Sequence, residues 1–242
     1  MSMEPAKAPV KYLVVDKFES LPTLFAKMAE QKVIVFDLET TGFDFLNDRI
    51  LCIAISWKEF TGVVVPLLGY EEEQIWTDEQ YEYIRSEFKR LMGDPNISWV
   101  GHNISFDQKF MKAWGCHIKG PIHDTMLLQA LVDENAKDLR GLKALANRYT
   151  DMGHYDAPLD EFFKQLKKDK IKEISGKKKE LKKEIRMVKK ILDKTDDTEE
   201  RYRIKKDLID LEAQLEEVDE ESVDDVNYSH IPTEILWPYA CA

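Results

Sequence analysis

The first 150 residues alternate between short apolar runs and amphipathic segments, and each kind of segment predicts a different element. Runs rich in β-branched residues predict strands at 11–15, 33–38, 50–57, 62–66 and 99–102. Apolar residues at helical spacing predict helices at 20–30, 77–91, 106–114, 125–132 and 141–149. The second, third and fourth strands follow one another closely, which is typical of a meander. Strands followed by helices that alternate with a further strand predict an α/β domain with a mixed sheet flanked by helices.

Two of the predicted helices begin with capping signals. Ser20 stands at the start of the first helix and is a candidate N-cap. Thr77 precedes the second helix, and Gln80 occupies the position that completes a capping box.

The composition changes after Asp160, where two oppositely charged limbs follow each other. Residues 164–190 carry 13 Lys and Arg against 4 Asp and Glu, and residues 193–225 carry 5 against 15. Each limb has an apolar stripe, and the stripe of the second limb follows a 4-3-4-3 spacing through Ile204, Leu208, Leu211, Leu215 and Val218. An antiparallel helical hairpin with limbs of about 23 residues is predicted, with a turn at 195–198. Gly176 is expected to mark a bend or a break in the first limb.

The hairpin is therefore interpreted as an insertion at 161–225 into a domain formed by residues 1–160 and 226–242. Its basic limb has three interpretations. The limb could follow a phosphate backbone, it could dock a partner domain, or it could remain solvated while neutralising its acidic neighbour.

The overall charge limits the kinds of nucleic-acid surface that the chain can present. A formal net charge of -11 argues against a broadly basic surface, but not against a small site where divalent ions meet a phosphate. The three cysteines are widely spaced, so neither a disulfide framework nor a zinc site is expected. The sequence contains no apolar run long enough for a signal peptide or a membrane helix, and we expect a cytoplasmic monomer without membrane contacts.

Two acidic motifs carry the candidate chemistry. Asp37 and Glu39 end a hydrophobic strand, and the alternation of an extended chain points both carboxylates to one side, within reach of one metal cluster. Alternatively, they are exposed acids at a strand end. Thr40 and Thr41 follow, in a segment that can turn the chain and offer backbone N–H groups to a phosphate. Asp107 lies near the start of a helix, where it could bind metal or simply cap the helix.

A third acidic motif, His123-Asp124, is predicted to cap the start of a helix. Asp124 could also hydrogen-bond to a residue that binds the metal, without binding the metal itself. The five histidines are scattered without the spacing of metal ligands.

The motifs together resemble a known family. The segments Phe36-Asp-Leu-Glu-Thr-Thr-Gly42, Asn103-Ile-Ser-Phe-Asp107, His123-Asp-Thr125 and Pro238-Tyr-Ala-Cys-Ala242 are similar to the 3'-5' exonuclease domain of family A, or DNA polymerase I-like, DNA polymerases. The resemblance is to the tyrosine subclass of the DEDD, or DnaQ-like, superfamily and to phage-type polymerases above all. It implies a ribonuclease H-like fold in which the helical hairpin is an insertion.

The resemblance also implies roles for individual residues. Asp37, Glu39 and Asp107 would bind two divalent ions, Mg or Mn, and Tyr239 would orient the attacking water. The fourth acid of the family would fall at position 243, one residue beyond Ala242, so the chain as given is expected to be impaired in activity. It would need a polymerase module in cis or as a split partner.

Three further residues are candidates for binding the substrate. Phe43 and Phe106 suit stacking on the exposed bases of a frayed 3' end, although Phe106 could equally be a core residue. Asn103 could hydrogen-bond the substrate or hold its own turn. The predicted function is metal-dependent proofreading of single-stranded or frayed DNA, with release of nucleoside monophosphates. The alternatives are a non-catalytic DNA-binding or docking fragment of a replication polymerase, and an RNA-trimming exonuclease.

Overall fold

The computed structural model describes residues 11–135, 139–150, 157–220 and 226–240. The chain divides into two compact units, and each is described by itself below. The first unit combines the residues up to Leu159 with those from Asn227 onward, and the second comprises Asp160–Val226.

The first unit is built around one mixed sheet. Within the described residues its six strands are β1 (Lys11–Val14), β2 (Val33–Thr40), β3 (Ile50–Ser56), β4 (Thr61–Pro66), β5 (Ser98–Gly101) and β6 (Ile122–Asp124). They lie in the order β1-β4-β3-β2-β5-β6. The pairs β2–β3 and β3–β4 are antiparallel, and the pairs β1–β4, β2–β5 and β5–β6 are parallel. The predicted ribonuclease H-like mixed sheet and its central meander are thereby confirmed.

Alternation along β2 separates the two faces of the sheet. Ile34, Phe36 and Leu38 are buried in the main hydrophobic core. That core also contains the buried sides of α1 (Leu21–Ala29), α2 (Asp78–Met92) and α3 (Ser105–Ala113). The odd-numbered residues of β2 face the other way, toward the layer that contains the acidic motif.

Three shorter helices complete the first unit, namely α4 (Thr125–Val132), α5 (Leu142–Tyr149) and α8 (Thr233–Ala240). The helix α8 packs on the second face of the sheet. There Trp237 and Ala240 contact the small buried cluster of Cys52, Ala54 and Val64. Cys52 and Cys116 are both buried, and Cys241 lies outside the described residues.

The two predicted caps turn out differently. Thr77 accepts a hydrogen bond from the Gln80 N–H, and the Gln80 side chain accepts one from the Thr77 N–H, so the predicted capping box is confirmed. Ser20 precedes α1, but its side chain makes no capping hydrogen bond. The reason is a short 3-10 turn over Phe18–Ser20, which leaves Ser20 in a helical rather than an extended conformation.

The second unit is an antiparallel helical hairpin. Its helices are α6 (Ala157–Leu192) and α7 (Thr198–Glu220). Salt bridges join Lys178 to Asp219 and Lys189 to Glu212, a pattern in which partners move in opposite directions along the two helices. The predicted stripe of α7 faces inward, and its last residue, Val218, is buried.

The first limb is longer than the predicted length of about 23 residues. The helix α6 has 36 residues and begins at Ala157. It runs through Gly176 without a break, and no neighbouring atom lies within 4 Å of the space that a side chain there would fill. The turn lies where it was predicted. Arg201 closes it by donating from Nη1 to the carbonyl oxygens of Leu192 and Thr195, at 2.9 and 2.7 Å.

No helix within the described ranges is both long enough and apolar enough to cross a lipid bilayer.

Candidate functional site

The acidic motif lies at the carboxyl end of β2. Asp37 pairs with Ala54 and Glu39 with Cys52 across the antiparallel β2–β3 ladder. Directly opposed residues share a face of the sheet, so both carboxylates project from the face on which α8 packs. The register shifts between Glu39 and Thr40, where a bulge ends the regular ladder and lets the chain turn away.

Asp107 comes to the same place from the first turn of α3. Its side chain is only 2% exposed, and its Oδ1 atom has no hydrogen-bond partner. The backbone N–H of Leu38, which lies between the two acids of β2, lowers the pKa of the Asp107 carboxyl, so this side chain lies beside β2. Asp107 lies beside β2 because β5 pairs in parallel with β2 and α3 follows directly after β5.

The three carboxylates repel one another. Burial raises the pKa of Asp107 to about 8, and the charge of Asp37 adds to the rise, while the N–H groups of Asp107 and Leu38 lower it. Burial also raises the pKa of Glu39 well above its usual value, with further contributions from Asp37 and Asp107. The pKa of Asp37 is raised to about 6 by the protein packed around it.

Although the protein packed around Asp37 raises its pKa, the Asp37 side chain is exposed to solvent. Glu39 and Asp107, by contrast, are buried. A ligand from solution can therefore reach Asp37.

Asp124 fixes the turn that leads from β5 into α3. Its Oδ1 atom accepts hydrogen bonds from the N–H groups of Asn103, Met126 and Leu127, at 3.0, 2.9 and 3.4 Å. The last two bonds cap α4, as the sequence predicted. The first holds Asn103, whose φ of 55° is unusual for a residue with a side chain. One carboxylate thus ties together the starts of α3 and α4.

The loop after β2 is braced from within. The Thr41 N–H donates to the Arg49 carbonyl, and the Thr41 hydroxyl accepts from the Arg49 N–H and donates to Asp48. The Thr40 hydroxyl donates to the Gly42 carbonyl at 2.7 Å. In this conformation the N–H group of Thr41 is therefore not free to bind a phosphate. A β-carbon at Gly42 would lie 2.5 Å from the Asp48 carboxylate, so a larger residue there would displace this carboxylate and disturb the brace.

A row of three phenylalanines runs from the surface into the core. Phe43 is 89% exposed and lies edge-on to Phe106, with ring centroids 6.1 Å apart. Phe106 is half-buried and packs against buried Phe110, at 5.0 Å. Asn103 is exposed beside them on the turn before α3. The structure thus brings these predicted substrate-binding residues to the end of the sheet that carries the carboxylates.

Tyr239 lies on α8 and is half-buried. Because α8 packs on the face that carries Asp37 and Glu39, the structure places this tyrosine in the same layer as the two acids. The final two residues of the sequence lie outside the described ranges.

The donor set suits hard divalent cations, which prefer carboxylate oxygens. Buried like charges are costly without a cation, and the unpartnered Oδ1 of Asp107 is an available ligand. Within the residues that the structure describes, no three His, Cys, Asp or Glu side chains are yet close enough together to hold an ion. The residues present therefore fit a metal by chemistry and charge, whereas the coordination shell itself is not formed in this conformation.

Sequence reasoning missed the brace between Asp48 and Thr41. Its signal is the Asp44-Phe-Leu-Asn-Asp48 segment, whose acids are of the type that hydrogen-bond nearby backbone groups in turns.

Comparison with known proteins finds a match to the family model described as 3'-5' exonuclease, over residues 12–178. The DNA polymerase of Escherichia phage T5 is 28% identical over 225 residues, which cover 89% of this chain and 19% of that protein. DNA polymerase I of Borreliella burgdorferi is 31% identical over 140 residues, 58% of this chain and 15% of that protein. The chain spans about a fifth or less of the length of these relatives.

Among solved structures, RNase D of Escherichia coli aligns over 58% of this chain and 33% of its own, with 18% identity and a TM-score of 0.45. Brucella melitensis NrnC with bound Mg2+ aligns over 60% of this chain and 64% of its own, with 15% identity and a TM-score of 0.41.

Proposed function

The chain belongs to the 3'-5' exonuclease family of A-type DNA polymerases, and on that premise we propose that it removes nucleotides from the 3' ends of single-stranded or frayed DNA. The reaction is hydrolysis of the terminal phosphodiester, which releases a nucleoside monophosphate. The chain would act in proofreading, beside a polymerase module that is part of the same polypeptide or a separate partner. We place it in the cytoplasm as a monomer, the host cytoplasm if the source is a phage.

One observation carries this proposal. Asp37 and Glu39 from β2 interact electrostatically with Asp107 from α3, although the two elements are distant in sequence. Burial raises the pKa of all three acids, and repulsion from the neighbouring carboxylates raises the pKa of Glu39 and Asp107 further. Three acids that repel one another add no stability to the end of a sheet that has only a structural role. A bound cation would remove the repulsion.

In the proposed site Asp37, Glu39 and Asp107 hold two divalent ions, Mg or Mn. Two such ions, when bound, activate a water molecule and stabilise the charge that develops on the leaving 3' oxygen. Asp37, the exposed acid, would hold its ion on the side open to the incoming phosphate, while Glu39 and Asp107 would supply buried anchoring oxygens. Tyr239 orients the attacking water.

The protein's other groups position the DNA. Exposed Phe43 offers its face to an unstacked base, and half-buried Phe106 supports it. Stacking of this kind contributes about 1 to 3 kcal/mol per base. Asn103, Thr40 and Thr41 line the approach, although Thr41 also braces its own loop.

The test is degradation of a 5'-labelled single-stranded DNA in Mg or Mn. We expect stepwise shortening from the 3' end, and a loss of at least about a thousandfold in Asp37→Asn, since metal ions contribute several kcal/mol to such reactions. Glu59→Gln is the matched control, because it removes one exposed negative charge from the turn between β3 and β4.

Equal degradation by wild type and Asp37→Asn would refute the assigned site. Binding without degradation by either protein, and by a version extended by an aspartate-bearing segment, would favour a non-catalytic fragment. A parallel RNA strand of the same sequence tests the RNA-trimming alternative, which predicts faster shortening of RNA than of DNA.

A further inference from the structure

The helical hairpin carries a continuous basic surface that the acidic helix does not neutralise. Six cations on α6 fall within about 60° of one another around the helix axis, at 100° per residue. We call this the basic stripe, and it consists of Lys168, Lys172, Lys179, Lys183, Arg186 and Lys190. All six are exposed. The stripe extends for about 33 Å at 1.5 Å per residue.

The stripe points away from the partner helix. The inward positions of α6 include Ile174 and Ile185, both buried, and they lie roughly opposite to the stripe around the helix. The cations that meet α7 are different ones. Lys178 binds Asp219 at 2.8 Å and Lys189 binds Glu212 at 2.8 Å, while Lys182 contributes to holding the pKa of Asp219 below its usual value.

The cations of the stripe are mostly unpaired. In the part of the hairpin that the structure describes, Lys179, Lys183, Arg186 and Lys190 form no ion pair. Lys172 has only a long contact with Asp169, at 3.7 Å. The acids of α6 itself, such as Glu173 and Glu180, lie to one side of the stripe. If α6 served only to neutralise its acidic neighbour, its cations would be directed at α7, and these four are not.

We infer that the basic stripe binds the phosphate backbone of nucleic acid, as a contact separate from the carboxylate site. A duplex carries one phosphate per about 3.4 Å on each strand, so the stripe matches the length of about ten base pairs. Unpaired Lys and Arg in a straight row on an acidic protein complement such a polyanion and carry no base specificity. The inference goes beyond the proposed hydrolysis and does not depend on it.

The experiment measures binding of a labelled duplex of about 20 base pairs by fluorescence anisotropy in EDTA, from about 50 to 200 mM salt. The stripe variant replaces Lys179, Lys183, Arg186 and Lys190 with Gln, a good helix former. The control variant replaces Lys27, Lys32, Lys58 and Lys119 with Gln. These four exposed lysines lie near the end of the sheet that is remote from the acidic motif, and both variants change the net charge equally.

We expect the stripe variant to lose at least about tenfold in affinity at 100 mM salt. The slope of log affinity against log salt should fall by about 3 to 4, or by about 3 for a single strand, because each phosphate contact contributes about 0.9 or 0.7. The control should stay close to wild type, and Lys179→Arg with Lys183→Arg should bind as wild type does.

Equal losses in the stripe and control variants would overturn the inference, since total charge alone would then explain binding. Competition by polyglutamate as effective as that by DNA would also overturn it, in favour of an acidic protein partner. Hydrolysis of a trinucleotide in Mg distinguishes this inference from the proposed function. If the stripe binds DNA, the stripe variant should hydrolyse the trinucleotide at the rate of wild type while binding the duplex weakly.

Discussion

Replacing Asp107 with Asn should make the metal-free protein less sensitive to pH. Asp107 is 2% exposed, and its pKa in the folded protein is about 8, against an ordinary value of 3.8. An acid with a higher pKa in the folded state binds a proton there that the unfolded chain has already released. The free energy of unfolding therefore falls as the pH rises from about 4 to about 8.

The magnitude follows from the shift. Each pKa unit corresponds to about 1.4 kcal/mol, so Asp107 alone lowers the free energy of unfolding by on the order of 3 kcal/mol between pH 5 and pH 8. An asparagine side chain cannot titrate, and this part of the pH dependence should disappear in Asp107→Asn. At pH 8 the variant should be more stable than wild type.

Urea denaturation in EDTA at four pH values between 5 and 8 measures the effect, and the informative quantity is the difference between the two proteins. Glu59→Gln removes an exposed charge and controls for net charge. Added Mg should raise the stability of wild type at pH 8 more than that of the variant, because it binds the folded site. Parallel curves for wild type and Asp107→Asn across this range would refute the reasoning.

Three other predictions follow from single contacts. Phe43→Ala should raise the KM for single-stranded DNA by about tenfold, because stacking on the base is lost, and should change the free energy of unfolding by less than about 0.5 kcal/mol. Phe110→Ala, by contrast, should lower the free energy of unfolding by about 3 to 5 kcal/mol, because Phe110 is buried. Similar urea midpoints for the two variants would contradict this prediction. Burial raises the pKa of Cys116 to about 12, so in a protein with Cys52→Ala and Cys241→Ser, which keeps Cys116 as its one thiol, Ellman's reagent at pH 8 should modify Cys116 only after unfolding. Rapid modification of the native variant would disprove the burial of Cys116. Asp124→Ala should destabilise the protein by about 2 to 3 kcal/mol in urea denaturation, because three N–H groups lose their acceptor. Asp124→Asn keeps an acceptor oxygen and should recover part of this loss. Unchanged stability in both variants would contradict the bracing role of Asp124.

The sequence predicted the elements whose signals are local. The β2–β3–β4 meander follows from long β-branched runs, and the capping box at Thr77 involves groups only three residues apart. The strand β6 was not predicted. It has three residues, and Ile122 and His123 are exposed, so no apolar pattern marks it. Its extended form depends on pairing with β5, which local periodicity does not encode.

The same distinction applies to the candidate site. That Asp37 and Glu39 share a face follows from the period of two in a strand. That Asp107 lies beside Leu38 depends on β2 and β5 being neighbours, although 57 residues separate Thr40 from Ser98. The bond from Asn103 to Asp124 likewise spans 21 positions. That these residues belong to one site was predicted from the resemblance of the motifs to a known family. No pattern within a single helix or strand indicates it.

The helix α8 is short, and this has a consequence for thermal behaviour. It has eight residues, Pro238 within it cannot donate a backbone hydrogen bond, and Trp237 and Ala240 rest on the small side chains of Cys52, Ala54 and Val64. A short helix at the surface opens locally at a lower free energy than the central strands beneath it. Amide hydrogens of α8 should exchange with solvent well before those of β3. If Tyr239 takes part in hydrolysis, heat inactivation will then precede global melting, and will be reversible on cooling.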